Sequence, residues 1–198
     1  MSDKLFDRVA LIGIGLIGSS LARVLRRDCP ETRIVACARS AETLDAVRRL
    51  DLADETTDDP AAASDGADLV VLATPLSAYR EIGMRIAPSL RQAAIVTDVG
   101  SVKEAVIRDL QPLMPQGVHF VPGHPVAGTE HSGPESGFAE LFRDRWCVLT
   151  PLPETAPEAG GRDSATNPYR LSASVASLPD AARHRRNPNA KRKVEASL

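Results

Sequence analysis

A histidine and a serine in two glycine-containing segments have side chains that suit proton transfer. His124 stands between Gly123 and Pro125, so its backbone is constrained and it does not sit on a helix face where it could pack as core. Histidine exchanges protons near neutral pH and can accept a proton from an alcohol during hydride transfer. The Ser101 hydroxyl can hydrogen-bond an imidazole or a substrate hydroxyl. We predict catalytic roles for His124 and Ser101; the alternative is that His124 makes only a structural hydrogen bond.

Three glycines near the N-terminus have the spacing of a phosphate-binding turn. Gly13, Gly15 and Gly18 form the pattern G-x-G-x-x-G between an apolar run and a helical pattern. The first glycine permits the turn, the second lets the backbone approach a pyrophosphate, and the third lets the helix pack close to the strand. Unpaired N–H groups at the helix start would face the phosphates. We predict a dinucleotide site that also includes Leu16 and Ile17; the alternative is a purely structural glycine turn.

The residues expected beside the adenosine ribose favour a particular cofactor. An NAD site usually has an acidic residue about 20 residues beyond the glycine turn, and here Cys37, Ala38 and Arg39 include none. Arg39 and Ser40 instead offer a cation and a hydroxyl to a 2′-phosphate. We therefore predict NADP or NAD, with NADP favoured. The alternative is that Arg39 is an ordinary surface residue.

Strands alternate with helices along the first 150 residues. This alternation predicts βαβ units, a parallel sheet and ligands at the carboxyl ends of the strands. The fold class is therefore α/β, a Rossmann-type doubly wound, mostly parallel sheet.

Thr74 and Pro75 end the third apolar run and are predicted to border the cofactor. Lys103 opens a helix, where the helix dipole disfavours a cation, so we expect it to have another partner. The predicted strands are 9–12, 33–37, 68–73, 94–98 and 118–121, and the later helices are 41–50, 76–87 and 103–113, with a weak segment at 51–66.

Composition excludes several classes of protein. The chain has 198 residues and a formal net charge of −2, which gives no overall attraction to nucleic acid or to anionic membranes. Three separated cysteines form no C-x-x-C pair, so no metal site is predicted and a reducing, cytoplasmic setting is favoured. The N-terminus lacks a signal-peptide pattern, and no apolar run has the length of a membrane span. We expect no nucleic-acid or membrane partner.

Three motifs together resemble a known enzyme family. The glycine turn at 13–18, Asp-Val-Gly-Ser-Val-Lys at 98–103 and Gly-His-Pro-Val-Ala-Gly-Thr-Glu at 123–130 look like those of the prephenate/arogenate (cyclohexadienyl) dehydrogenases of tyrosine biosynthesis. Their order and separations match as well, and the resemblance covers about residues 8–150. It implies an oxidoreductase that decarboxylates prephenate to 4-hydroxyphenylpyruvate, or arogenate to tyrosine.

The same resemblance implies roles for individual residues. His124 takes the proton of the ring hydroxyl while hydride leaves the same carbon for the nicotinamide, and loss of CO2 makes the ring aromatic. Ser101 positions His124 and the nicotinamide side of the site. Gly128, Thr129 and Glu130 border the substrate pocket. His119, His131 and His184 have no comparable setting and are interpreted as structural or solvated; they receive no role.

The last part of the chain departs from this family. Its members continue into a helical domain that forms a homodimer and binds the substrate's carboxylates. Here residues 1–150 are the predicted dinucleotide-binding domain, and residues 151–198 form a low-hydrophobicity tail without helical or strand periodicity. A basic cluster at 183–193 could bind an acidic partner but is interpreted as solvated. We expect the chain to be truncated, with residues after about Ala159 translated from a shifted reading frame.

Two other functions remain open at the level of sequence. The chain could be a catalytically dead NADP-binding fragment or a regulatory NADP-binding module. It could also be another Rossmann hydroxyacid or imine reductase, although such proteins are not expected to carry the motif at 123–130.

Overall fold

Six parallel strands form the central sheet of the computed structural model, which describes residues 5–150 and residue 152. Their spatial order is β3-β2-β1-β4-β5-β6. The order reverses direction between β1 and β4, and in open α/β sheets ligands bind beyond the carboxyl ends of the strands at such a switch point. The strands are β1 Arg8–Ile12, β2 Arg33–Cys37, β3 Glu55–Thr57, β4 Leu69–Leu72, β5 Ile95–Asp98 and β6 His119–Val121.

Helices cover both faces of the sheet. Alternate residues of β1 pack into different clusters: Val9 and Leu11 contact one apolar cluster, and Ala10 and Ile12 contact the other. A strand buried on both faces reads as a continuous apolar run, which is why the sequence predicts it. The helices are α1 Leu16–Asp28, α2 Ala41–Arg49, α3 Pro60–Ser64, α4 Tyr79–Ile86 and α5 Lys103–Leu110, with 3₁₀ turns at Leu76–Ala78, Ala87–Ser89, Gln111–Leu113, Pro134–Ser136 and Ala139–Phe142.

The segment from 51 to 66, predicted to be weak, contains two short elements. Its strand β3 is partly buried at the sheet edge and pairs with β2. Its helix α3 begins at Pro60, and the Asp59 carboxylate accepts a hydrogen bond from the Ala61 N–H. A three-residue polar strand and a five-residue helix are too short for hydrophobic periodicity to reveal them.

The prediction that His124 lies in a loop is wrong. Residues Gly123–Pro125 form strand β7, which pairs with β8, Cys147–Leu149, in a two-stranded antiparallel sheet. His124 lies opposite Val148. Glycine and proline are uncommon inside strands, so the sequence does not indicate one here. The strand forms because it pairs with a segment that is distant in the sequence.

The predicted tail, its basic cluster and the predicted frame shift lie outside the described residues, apart from Leu152. Among the residues that the structure describes, no helix has the length and apolar character required to cross a bilayer.

Candidate active site

The turn between β1 and α1 requires glycine at two of its three glycine positions for reasons internal to the protein. Gly13 has φ of +99°, and a Cβ there would lie 2.5 Å from the Ala73 carbonyl oxygen. A Cβ on Gly18 would overlap the Gly13 carbonyl oxygen. These two glycines therefore permit the turn and the close helix–strand contact, as their spacing predicts.

Gly15 has no such internal reason to be glycine. Its backbone is extended, with φ of −82°, and a Cβ there would meet no described atom within 4 Å. It precedes α1, whose first turn has no side-chain cap among the described residues. Leu16 and Ile17 are the first two residues of this helix. An open approach to uncapped N–H groups at a helix start suits a pyrophosphate.

Thr74 and Pro75 follow β4, across the switch point from the glycine turn. The Thr74 hydroxyl oxygen is buried and has no hydrogen-bond partner in the described part of the chain. Pro75 is exposed. Buried polar atoms normally have a partner, so an orphaned hydroxyl beside an open turn is expected where a ligand supplies the missing contact.

Arg39 and Ser40 lie just beyond the carboxyl end of β2. Arg39 is exposed and forms no ion pair with residues 5–150. The Ser40 hydroxyl accepts a hydrogen bond from the Thr43 N–H at 3.4 Å and so caps the start of α2. Burial raises the pKa of the neighbouring Cys37 to about 11, so its thiol is neutral near pH 7.

Two acidic residues that the sequence did not single out follow β3, next to β2. Asp59 is occupied, because its carboxylate pairs with Arg85 at 2.9 Å and also caps α3. Asp58 is exposed. The sequence separation from the glycine turn gave no signal for either, because β3 was not predicted.

A buried carboxylate at the carboxyl end of β5 is the most highly bonded group near the predicted catalytic residues. The Asp98 side chain has no exposed surface and accepts hydrogen bonds from the Gly100 N–H at 2.7 Å and the Gly123 N–H at 3.1 Å. The Lys103 ammonium lies 2.6 Å from one of its oxygens. This contact confirms that Lys103 has another partner. Sequence reasoning missed Asp98, because neither its burial nor its converging donors are visible in the chain order.

Burial and pairing act in opposite directions on these two charged groups. Burial raises the pKa of Asp98, while the Lys103 charge and the donated hydrogen bonds oppose that rise. Burial likewise lowers the pKa of Lys103, and Asp98 opposes that change. A buried charge without a partner is strongly destabilising, so each of the two groups requires the other.

His124 is half-buried, and its ring nitrogen Nδ1 is buried without a hydrogen-bond partner among the described residues. Cys147 lies on the neighbouring strand β8. Burial raises the pKa of its thiol to about 11, although the His124 backbone N–H acts to lower that pKa, so this thiol is also neutral near pH 7.

The remaining predicted site residues are exposed. Ser101 follows β5, beside the strand that leads to His124, but no hydrogen bond joins the two side chains in the described structure. Gly128, Thr129 and Glu130 lie in the exposed segment after β7, where the Thr129 hydroxyl accepts from the His131 N–H at 3.3 Å. The structure thus brings Ser101 and His124 to one edge of the sheet, and residues 128–130 lie in the exposed segment that follows His124.

The strand order and the glycine turn at its switch point define a Rossmann-type dinucleotide-binding domain. Residues 21–160 match the family described as "Prephenate dehydrogenase, nucleotide-binding domain", and the chain belongs to this family. This agrees with the resemblance drawn from the three sequence motifs.

Individual relatives agree with this assignment. The chain is 44% identical over 154 residues to the cyclohexadienyl dehydrogenase of Zymomonas mobilis, covering 78% of this chain and 52% of the relative. It is similar to a crystal structure of prephenate dehydrogenase from A. aeolicus in complex with hydroxyphenyl propionate and NAD+, with 34% identity and a TM-score of 0.72, over 77% of this chain and 53% of that one. A Synechocystis arogenate dehydrogenase structure is 34% identical, with a TM-score of 0.69, over 76% and 52% of the two chains. The chain spans about half the length of these relatives.

Proposed function

We propose that this chain is the nucleotide-binding part of an NAD(P)-dependent prephenate or arogenate dehydrogenase. The observation that carries the proposal is the placement of two orphaned buried atoms. The Thr74 hydroxyl and the His124 ring nitrogen account for two of the three buried side-chain polar atoms that lack a partner in the described structure. Both follow carboxyl ends of strands of the sheet, where a cofactor and a substrate would supply the missing contacts.

The proposed reaction assigns a proton to His124. The histidine accepts the proton of the substrate's ring hydroxyl as the carbon that bears it loses hydride and becomes a carbonyl. Loss of the ring carboxylate as CO2 then makes the ring aromatic and leaves a phenolate, to which the protonated His124 returns its proton. A bound nicotinamide supplies the hydride acceptor. Ser101 orients the imidazole, and Gly128, Thr129 and Glu130 border the substrate in this proposal.

The cofactor is proposed to lie along the glycine turn, with its pyrophosphate at Gly15 and the start of α1. NADP is favoured over NAD, because Arg39 is exposed and forms no ion pair within residues 5–150, and because the Asp59 carboxylate is already paired with Arg85. Against this preference, the relative from A. aeolicus has NAD+ in its crystal structure.

Substituting Arg39→Ala should weaken NADP+ binding about tenfold or more, because a guanidinium–phosphate contact is worth roughly 1.5–3 kcal/mol. NAD+ binding should change little, and equal losses for both cofactors would contradict the preference.

Turnover measurements on the full chain test the proposal. Prephenate and arogenate are each offered with NAD+ and with NADP+, and reduced cofactor is followed by absorbance. We expect turnover with at least one pair, and we expect His124→Asn to lower kcat by about 10²–10⁴-fold, the usual contribution of a general base. His119→Asn is the matched control, because His119 lies at the opposite end of its strand from the carboxyl edge.

One result would favour the alternative of a cofactor-binding module without catalysis. That result is tight NAD(P) binding with no turnover, unchanged by His124→Asn.

The groups that bind the substrate's carboxylates and form a homodimer are proposed to belong to a second, helical domain, as the family resemblance implies. The three cysteines are free thiols, which is consistent with a proposed cytoplasmic location.

A further inference from the structure

One buried carboxylate joins the segments that carry the two predicted catalytic residues. The Asp98 side chain accepts the N–H of Gly100 on one oxygen and the N–H of Gly123 on the other. Gly100 immediately precedes Ser101, and Gly123 immediately precedes His124. Each catalytic residue thus follows a backbone N–H held by the same side chain.

Lys103 fixes the other side of the Gly123 peptide. Its ammonium donates to both Asp98 oxygens and to the Gly123 carbonyl oxygen. An ammonium has three N–H donors, so these contacts use its whole capacity and leave none for a substrate. Since that carbonyl belongs to the peptide bond that leads into His124, both sides of Gly123 are held by the charged pair.

The carboxylate itself is anchored in the core. Asp98 is 2% exposed and ends β5. The Tyr79 hydroxyl, which donates to the Leu72 carbonyl, lies 3.5 Å from it. The Thr97 hydroxyl bonds the Val121 carbonyl at 2.7 Å, which ties β5 to the strand preceding His124. The charged pair therefore connects the rigid sheet to the two segments that carry Ser101 and His124.

We propose that Asp98 and Lys103 are positioning residues that set His124 relative to Ser101 through the Gly100 and Gly123 peptides. This inference rests on the proposed function for its catalytic consequence. Nδ1 of the His124 ring has no hydrogen-bond partner among the described residues. The ring must therefore be positioned through its backbone. The position of the imidazole is therefore set by its strand and by the peptide bonded to Lys103.

Kinetics of Lys103→Met distinguish positioning from substrate binding. We expect kcat to fall by about 100-fold, since a displacement near 1 Å can cost that much. We expect KM and the cofactor Kd to stay within about threefold, because Lys103 has no donor left for a ligand. The matched control is Arg108→Met, an exposed residue on the same helix that pairs with Asp109. A raised KM with unchanged kcat would overturn the proposal, because Lys103 would then contact the substrate.

Amide hydrogen exchange gives a measurement that does not depend on turnover. In the full chain, the Gly123 amide should exchange at least about tenfold faster in Lys103→Met than in the wild type. The His124 ring signals in NMR spectra should also move. The double variant Asp98→Asn/Lys103→Met leaves no unpaired buried charge, so it provides a folded comparison if the single variant unfolds. We expect the double variant to show the same loss of kcat and faster exchange at Gly123.

The two proposals fail in different ways. A wild-type chain that binds neither NAD+ nor NADP+ contradicts the proposed function. Unchanged Gly123 exchange and unchanged His124 signals in both variants overturn the positioning role, whether or not the wild type is active.

Discussion

At the scale of single residues, the fold does not require glycine at position 15, so we assign this glycine to ligand binding. Its extended backbone and open surroundings accept alanine without strain. We expect Gly15→Ala to change the free energy of unfolding by no more than about 0.5 kcal/mol, as at other sites without contacts. The added methyl would occupy the space proposed for the pyrophosphate, so the Kd for NAD(P) should rise by about tenfold or more. Urea unfolding and fluorescence titration measure the two effects.

Gly18→Ala is the contrasting variant. Its new Cβ would overlap the Gly13 carbonyl, so the turn must shift and unfolding should become easier by about 1–3 kcal/mol. If Gly15→Ala proved as destabilising as Gly18→Ala, the assignment of Gly15 to a ligand rather than to the fold would be contradicted.

Sequence reasoning identified the residues whose local pattern carries the information and missed those defined by distant contacts. The glycine turn was predicted because its spacing and its flanking elements lie within one short stretch. Asp98 was missed as a structural centre, because the convergence of its three donor groups, from Gly100, Lys103 and the distant Gly123, is established only in the folded chain. His124 was predicted to be catalytic from its local pattern, but its strand partner was not visible.

At the scale of elements, the predicted strands were those buried on both faces. Strands β1, β2, β4 and β5 are buried along most of their length, since helices cover each side. Their residues are mainly apolar, apart from an arginine at the start of β1 and of β2 and Thr97 and Asp98 at the end of β5. Strands β3, β7 and β8 have three residues each; β3 and β7 carry no apolar pattern, and the apolar run of β8 is too short to identify a strand. Elements of this length depend on tertiary pairing, so their absence from the sequence prediction has a physical cause.

The junction of α1 with β2 depends on one carboxylate, and this makes stability depend on pH. Asp54 accepts the Ile34 N–H at 2.6 Å and pairs with Arg26 of α1 at 2.9 Å. Burial would raise the pKa of Asp54, but these hydrogen bonds prevail and lower it. A lowered folded-state pKa means that the carboxylate stabilises the fold above its unfolded pKa of about 3.9 and loses this effect as pH falls through the folded value.

We therefore expect Asp54→Asn to destabilise the fold at pH 7 by about 1 kcal/mol, reduced from the usual value for a charged hydrogen bond because the side chain is 38% exposed. The difference from wild type should shrink between about pH 5 and pH 3. Asp45→Asn is the control, because Asp45 makes only an exposed pair with Arg48 and should change stability little. A difference that stays constant down to pH 3 in urea unfolding would contradict the role of Asp54.

At the scale of the whole molecule, the switch point links cofactor binding to global stability. The glycine turn and Thr74 belong to neighbouring strands at the centre of the sheet, so a ligand held by both binds only the folded chain. A ligand at 100 times its Kd stabilises the folded state by about 2.7 kcal/mol. For a domain of this size, that corresponds to a rise in Tm of about 5–10 °C.

Thermal unfolding with NAD+, NADP+ and no ligand measures this linkage in the full chain. We expect at least one cofactor to raise Tm by that amount, with NADP+ effective at the lower concentration. Gly15→Ala should keep the Tm of the free chain and lose most of the rise, because the same methyl that leaves the fold intact blocks the pyrophosphate. Arg39→Ala should lose the rise with NADP+ and keep the rise with NAD+. A cooperative transition that neither cofactor moves would exclude dinucleotide binding at the switch point, since a ligand that binds only the folded state must raise its stability.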